Sequence, residues 1–487
     1  MMALSFKAYA VYAIVTTIFI LLLRNRFRKA LYDIPGPSLA KYTKLWKLHN
    51  VWKGKHHNSA IALHRKHGHL VRIGPNHISV GDPNAIPIIY GLNKGFIKTA
   101  FYPIQSISWN KKPQPNLFSE RDEKLHREQK RLVANGYSLG SLLEMESGVD
   151  SCSEILVNKL RDYADKKRPV DLGKWLQYYA FDVVGEFVFA KKLGFLEEGR
   201  DIDGMIKAIQ GMLTYASLCG QVPELHPLLL GNPLFPLFLP QMETWNQVVV
   251  FTLKAINSRL SIKRDGEIEK KDLESGKDMM SKWLAIHHAS PEKLTTTNLM
   301  VHLSGNVFAG SDTTAIAFRA IFYFLLQNPA TMGRLRAEID TATSEGKLSR
   351  PVTYKQSVAH LPYLGAVIKE AMRLHPSTGL IMEREVPKGG NSEVYEDPDS
   401  FIPERWLENS PEKLKQMEQS FFVFGAGARS CIGKYVSLVE MHKLIPELLR
   451  EFEFSLHDIK NEWTTKNVWF VQQEGLVCDI TRRNIRL

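Results

Sequence analysis

Apolar positions recur along this chain with distinct spacings, and each spacing predicts a different element. Residues 8–23, AYAVYAIVTTIFILLL, are uncharged and strongly apolar, which predicts a helix close to the ~20 residues needed to cross a bilayer. Lys7 can snorkel, so the span can start near Met2. Residues 69–83, HLVRIGPNHISVGDP, alternate apolar and polar around a Gly-Pro turn, the pattern of a β-hairpin. From about residue 120 the apolar period lengthens to that of helices, over 121–136, 145–167, 172–190 and 203–218. A helix over 297–327 is apolar nearly all round and must lie in the middle of the domain. Thr295–Thr297 can cap it and Asn328-Pro329 end it. Another helix spans 362–374. Residues 422–441, FVFGAGARSCIGKYVSLVEM, begin small and flexible and then place Tyr435, Leu438 and Met441 on one side, so they predict a loop running straight into a helix.

Two connections interrupt this pattern. GNPLFPLFLP, 231–240, reads as a loop with an apolar, membrane-dipping face, and 263–278 as a solvated charged connection. No repeat and no Gly/Ser-rich or Pro-rich linker divides the chain. The organisation predicted is therefore an anchor with a basic stop-transfer run over 1–30 and one large, mainly α domain over 31–487.

Charge fixes the topology. RNRFRK, Arg24 to Lys29, follows the apolar span and places the rest of the chain in the cytosol. A cleaved signal peptide would carry its charges on the other side and a small-x-small site, and neither is present. IPGP, Ile34 to Pro37, predicts a stiff exit from the membrane. The net charge of +12 fits a membrane surface or an acidic protein partner. It argues against nucleic acid, because the basic residues are spread out and do not alternate with aromatics. Four cysteines without a CxxC pair exclude a disulfide scaffold and a zinc ribbon, and fit a reducing compartment.

Three features invite a functional reading beside the structural one. Cys431 sits where the glycine-rich loop meets its helix, a place that stabilises a thiolate. AGSDTT, Ala309 to Thr314, puts an acid and two hydroxyls inside an apolar helix, where they must bond to the local backbone or serve a purpose. Glu370 and Arg373 of EAMR share a helix face, and PERW, Pro403 to Trp406, adds Arg405.

Together these stretches resemble the cytochrome P-450 haem-thiolate monooxygenases, most closely the fungal secondary-metabolism branch near pisatin demethylase. The loop FGAGARSCIG matches the family's haem-binding motif at Phe424, Gly427, Arg429, Cys431 and Gly433. AGSDTT matches its oxygen-activation motif, EAMR its Glu-x-x-Arg pair and PERW its third arginine motif, all in the family's order. The resemblance implies an α-rich single domain with small β-sheets, an N-terminal transmembrane helix and haem b with Cys431 as the axial thiolate ligand of iron. Arg429 is then expected to meet a haem propionate. Gly425 and Gly427 are expected to pass close to the porphyrin and donate N–H bonds to the sulfur. Gly310 would leave room for oxygen, Thr313 would hold oxygen and a water, and Asp312 would relay protons. Glu370, Arg373 and Arg405 would form a buried structural network. The family's Trp-x-x-x-Arg for the other propionate stands here as His126 and Lys130.

The same resemblance implies electrons from NADPH through a cytochrome P-450 reductase, with cytochrome b5 as a further partner, a hydrophobic small-molecule substrate and the endoplasmic reticulum membrane. Ser377, Thr378, Leu380, Phe308 and Asn306 are expected to line the pocket. HRKHGH, His64 to His69, reads as a surface histidine cluster, and GAGARS lacks the third glycine of a dinucleotide fingerprint. One departure stands out. Gly390 is followed almost directly by Val394, where relatives insert a strand pair and a loop. That shortening keeps a non-catalytic haem-binding remnant open as an alternative. An oxygen-independent haem-thiolate isomerase is a second, against which Thr313 and Asp312 speak.

Overall fold

A computed structural model describes residues 2–29, 31–109, 112–230, 247–261, 276–385, 399–458 and 462–483. The loop 231–240, most of the charged connection 263–278 and the shortened stretch 390–394 lie outside them.

The anchor helix, Met2–Arg26, runs through the basic residues Arg24 and Arg26 and past the apolar span. Its stretch Lys7–Arg26 has a mean hydropathy of 1.6 and none of it is buried, so it is long and apolar enough to cross a bilayer. Arg72 joins it to the domain. This fully buried guanidinium donates to the carbonyls of Asn25, Arg26, Leu31, Lys41 and Pro75, which includes carbonyls left open at the helix C-terminus. The hairpin that carries Arg72 pairs Leu70–Gly74 with His77–Val80, as the alternation predicts.

The helices follow the apolar period within a few residues. They span Glu123–Val133, Glu146–Asp165, Leu172–Phe189 and Met205–Cys219. The Asp122 carboxylate caps the first by accepting from the Lys124 and Leu125 N–H groups. The central helix, Thr296–Gln327, starts at a reciprocal capping box between Thr295 and Asn298 and stops at Asn328-Pro329. It packs along Leu172–Phe189, which is almost wholly buried, and more than half of the central helix is buried with it. The late helix, Lys434–Glu451, packs on its other side, where Thr314 Oγ1 and Ser437 Oγ lie 2.9 Å apart.

Small sheets trim this bundle, as the resemblance implies. Phe452–Leu456, Val477–Arg482 and Val170–Asp171 form one sheet, and Thr464–Val468 with Phe470–Glu474 another. Ile97–Lys98 pairs with Arg384–Glu385, so two chain segments far apart in sequence bring Lys98 and Arg384 opposite each other.

Candidate active site

A cavity of about 360 Å³ lies between the central helix and the loop before the late helix. Most of its wall is apolar, including Val184, Phe187, Leu213, Val301 and Phe308. The loop residues Phe424, Gly425, Arg429 and Cys431 line it on one side and Thr313 on another. His126 and Lys130 reach it from the helix Glu123–Val133, and Asn306, Phe308, Ser377 and Thr378 line it as expected. Leu380 is buried away from it and lines a separate groove of about 1820 Å³.

The backbone of Cys431 is fixed by its N–H bond to the Phe424 carbonyl, 2.7 Å away. The late helix begins three residues beyond it, not at it. Cys431 is accessible and lines the cavity, and the protein packed around the sulfur pushes the thiol above its ordinary range. The Gly433 N–H bond to sulfur and the charges of Lys130 and Lys434 oppose that shift without overcoming it. A cation at the sulfur would hold it as thiolate against that shift. The hydrogen bond to sulfur also comes from Gly433, not from Gly425 or Gly427. The Gly425 N–H goes to the Phe422 carbonyl. Gly427 has a φ of +63°, and a Cβ there would stand 1.9 Å from the Tyr90 carbonyl oxygen, so it is held by contact with protein.

Cations crowd one edge of the cavity. Arg429 makes a forked pair with Glu123 at 2.8 and 3.1 Å. Lys98 donates to the Phe118 carbonyl, Lys130 to the Ala428 carbonyl at 2.9 Å, and Arg384 to the Tyr102 hydroxyl at 2.6 Å. Among the described residues none of these last three pairs with a carboxylate. Burial, then Arg429 and Arg384, push Lys98 down to about 6. Burial, then Arg429, Lys98 and Lys130, push His126 down to about 3, so it stands neutral at this edge. A cluster of repelling, half-desolvated cations is a receptor for a dianion. The sequence pointed to Arg429, His126 and Lys130 but missed Lys98 and Arg384. Only the pairing of their two short strands brings them here, and no local pattern records it.

The central helix holds a different arrangement from the one expected. Thr313 Oγ1 donates to the Ala309 carbonyl at 2.7 Å, and its own carbonyl accepts from Ser377 Oγ at 2.7 Å. Asp312 is buried and is not part of the cavity wall. One of its oxygens accepts from the Gln177 amide, whose own oxygen accepts from Arg319 at 2.9 Å, while Oδ2 has no partner among the described residues. Burial raises the Asp312 carboxyl, against the Gln177 bond and the Arg319 charge. A Cβ on Gly310 would lie 2.8 Å from Val184 Cγ2, so this glycine lets the two buried helices approach, whatever space it also leaves at the cavity.

Behind the loop, Glu370 is fully buried and its two oxygens take five donors. Arg373 gives two at 2.9 Å, Arg405 one at 3.0 Å, the Ile402 N–H one at 2.9 Å and Trp406 one at 3.0 Å. Burial alone would raise this carboxyl; the Arg373 bonds, the Ile402 N–H and Trp406 hold it below its ordinary range. In the histidine run, His64 bonds the Gly68 carbonyl and Ser79 Oγ and serves the hairpin.

The comparisons with known proteins agree with this geometry. The family model described as Cytochrome P-450 matches residues 35–391 and 388–478, and so nearly the whole chain. Its break falls at the shortened stretch. A cytochrome P-450 monooxygenase of Aspergillus terreus is 37% identical, covering 89% of this chain and 92% of its own. The cytochrome P-450 monooxygenase cicH of Emericella nidulans is 35% identical over 94% of this chain and 95% of its own. A pisatin demethylase of Fusarium vanettenii is 35% identical over 92% and 90%. A helix-rich fold with small sheets, a lone cysteine facing an apolar cavity and relatives along almost all of its length together establish that this chain belongs to the cytochrome P-450 family of oxygen-incorporating oxidoreductases.

Proposed function

We propose that this protein is a membrane-bound haem-thiolate monooxygenase of secondary metabolism, inserting one oxygen atom from O2 into an apolar small molecule by hydroxylation, epoxidation or demethylation. The observation that carries this reading is Cys431 facing an apolar cavity whose edge holds Lys98, Lys130, Arg384 and Arg429 against a single close carboxylate. These residues fit iron protoporphyrin IX. Cys431 is the one cysteine in the cavity wall, and the carboxylates of the ring would supply the charge the cations lack. When bound, haem with a thiolate ligand supplies the activation of O2.

The chain supplies the rest. Cys431 would hold the iron through its sulfur, which accepts from the Gly433 N–H, while the Phe424 carbonyl fixes its backbone. Lys98, Lys130, Arg384, Arg429 and the His126 N–H would hold the carboxylates of the ring at that edge. Thr313 is the hydroxyl at the cavity wall. Turned from the Ala309 carbonyl, it presents a proton to the cavity. Asp312, biased by burial toward its protonated form, stores a proton one residue behind it and must leave Gln177 to deliver it. Glu370, Arg373 and Arg405 tie the helix Pro362–Leu374 to residues 400–406 and touch no reacting atom.

The anchor helix sets the protein in the endoplasmic reticulum membrane with its domain in the cytosol. The groove of about 1820 Å³ is lined by Ile18, Leu21 and Leu22 of that helix and shares Thr378, Met382, Arg384 and Val423 with the cavity, which gives an apolar compound a short path from the bilayer. NADPH-derived electrons arrive through an acidic reductase, with cytochrome b5 as a second donor, both attracted by the net positive charge. The break in the family match at 388–391 favours one second reading, a chain that loads haem without turnover. The test is the reduced carbon-monoxide difference spectrum of microsomes carrying the full chain, with feeding of candidate apolar metabolites in the presence of reductase. A thiolate-type band with product supports the enzyme, the same band without product supports the remnant, and Cys431→Ser retaining both the band and turnover overturns the reading.

A further inference from the structure

The groove of about 1820 Å³ beside the cavity has two walls of different origin. Ile18, Leu21, Leu22 and Asn25 of the anchor helix line one side, at spacings that put them on one helix face. The short helix Ile86–Ile89 lines the other with the half-buried Ile86, Ile88 and Ile89. At 1.5 Å per residue, the helix rises about 10 Å from Ile18 to Asn25. One leaflet of a ~30 Å hydrocarbon core is about 15 Å deep, and the basic run Arg24 to Lys29 marks its cytosolic surface. The apolar walls therefore stand at the depth of one leaflet's acyl chains. Water there would face apolar side chains on both sides, and an empty groove would forfeit its contacts.

The polar side chains of the groove are mostly committed to one another. Lys47 donates to Glu383 and lies 3.2 Å from His77 Nδ1, Thr99 donates to Glu383 at 3.0 Å, and Lys44 forms an exposed pair with Glu224 at 2.7 Å. Arg28 differs. It lines the groove just past the end of the anchor helix, and its hydrogen bond to the neutral Asn76 Oδ1, at 2.7 Å, is exposed. Among the described residues it pairs with no carboxylate. Arg26 and Arg28 both act on the Arg72 guanidinium, so three cations share this end of the helix. A forked cation at headgroup level, above an apolar slot, is complementary to a phosphate with an acyl chain beneath it. The surrounding positive field favours a lipid of net negative charge over phosphatidylcholine.

We infer that the groove holds an anionic phospholipid of the cytosolic leaflet, one acyl chain lying between the anchor helix and Ile86–Ile89 and its phosphate on Arg28. An apolar compound taking the path from the bilayer would displace that chain. The inference rests on the anchor crossing the bilayer and not on the chemistry at Cys431.

The test places the haem-loaded full chain in nanodiscs of phosphatidylcholine and phosphatidylserine at about four to one, extracts it into detergent and counts the retained lipids by native mass spectrometry. Wild type should keep one lipid, with a ratio of phosphatidylserine to phosphatidylcholine about 5-fold above that of the disc. Arg28→Gln should bring the ratio back to that of the disc. Arg24→Gln removes the same charge away from the groove and should leave the enrichment in place. Leu22→Trp fills the groove from the anchor side and should remove the retained lipid with the Soret band unchanged. Ile88→Trp fills it from the opposite wall and should do the same even if Leu22→Trp fails to insert. No retained lipid in wild type, detergent in its place, or a lipid that survives both tryptophans overturns the inference. So does an enrichment that survives Arg28→Gln or falls equally with Arg24→Gln. A chain that does not enter the discs sinks the anchor reading and this inference with it, whereas one that enters and keeps no lipid sinks the inference alone.

Discussion

Two fully buried glutamates make the sharpest test of how this fold handles charge, because the same substitution should act on them with opposite signs. Glu370 satisfies five donors, and Glu440, on the late helix, has no partner for either oxygen among the described residues. In Glu370→Gln the amide NH2 must replace one oxygen. The lesser loss places it at Oε2, where it faces the Arg373 Nε and Trp406 Nε1 donors and breaks both bonds. The charge that holds Arg373 and Arg405 is lost as well. Breaking one partner of a buried pair costs about 3–5 kcal/mol. Domains of this kind have a total of about 5–15 kcal/mol, so the variant should lose most of its haem-loaded yield.

Glu440 is the reverse. Burial raises its carboxyl well above the ordinary value, so the folded chain keeps its proton where the unfolded chain has released it. Above the ordinary carboxylate range the unfolded state thus binds fewer protons, and stability falls as pH rises, by about 1.4 kcal/mol per pH unit until the folded group also titrates. Glu440→Gln removes that slope and should stabilise the protein at neutral pH while leaving it unchanged at pH values below the carboxylate range. Urea unfolding of both variants from pH 4 to 8, with haem content per chain, reads both effects. If Glu440→Gln destabilises at neutral pH, or Glu370→Gln costs less than about 1 kcal/mol, the assignment of satisfied and unsatisfied carboxylates is wrong.

Arg384→Gln should weaken haem retention by about 10-fold, measured by transfer to apomyoglobin, since it removes one cation of the carboxylate edge. Thr313→Val loses only a hydroxyl bonded to its own helix, so unfolding should shift by less than about 1 kcal/mol, while the ratio of product to NADPH consumed drops. Arg72→Met deprives five carbonyls of their donor at the end of the anchor helix. Limited proteolysis near residues 26–42 should accelerate in nanodiscs with little change in the bound haem spectrum. Gly427→Ala forces a Cβ to within 1.9 Å of the Tyr90 carbonyl at a φ of +63° and should abolish haem loading, read by its Soret band.

What the chain discloses before folding depends on how local the cause is. Periodic burial and capping are local, so the central helix from its Thr295 box to Asn328 is readable in one dimension, and so is the hairpin at 69–83. Motif spacing is also local, which is why Cys431, Thr313 and the Glu370–Arg373 pair stand out in the sequence and carry the family resemblance. Direction is not local. Whether Asp312 points to the cavity or to Gln177 is decided by a helix some 135 residues earlier in the chain. How strongly burial raises the Cys431 thiol depends on the protein packed around it, against the Gly433 N–H and the charges of Lys130 and Lys434. The glycines show the same division: their spacing is visible in the sequence, but Gly310 answers to Val184 and Gly427 to Tyr90. Lys98 and Arg384 lie on strands of two residues each, too short for any period, and only their antiparallel pairing makes them neighbours. It follows that the basic edge of the cavity is the part of the site written least plainly in the sequence, and exchanging Lys98 for Arg384 across that strand pair should preserve haem binding better than removing either one.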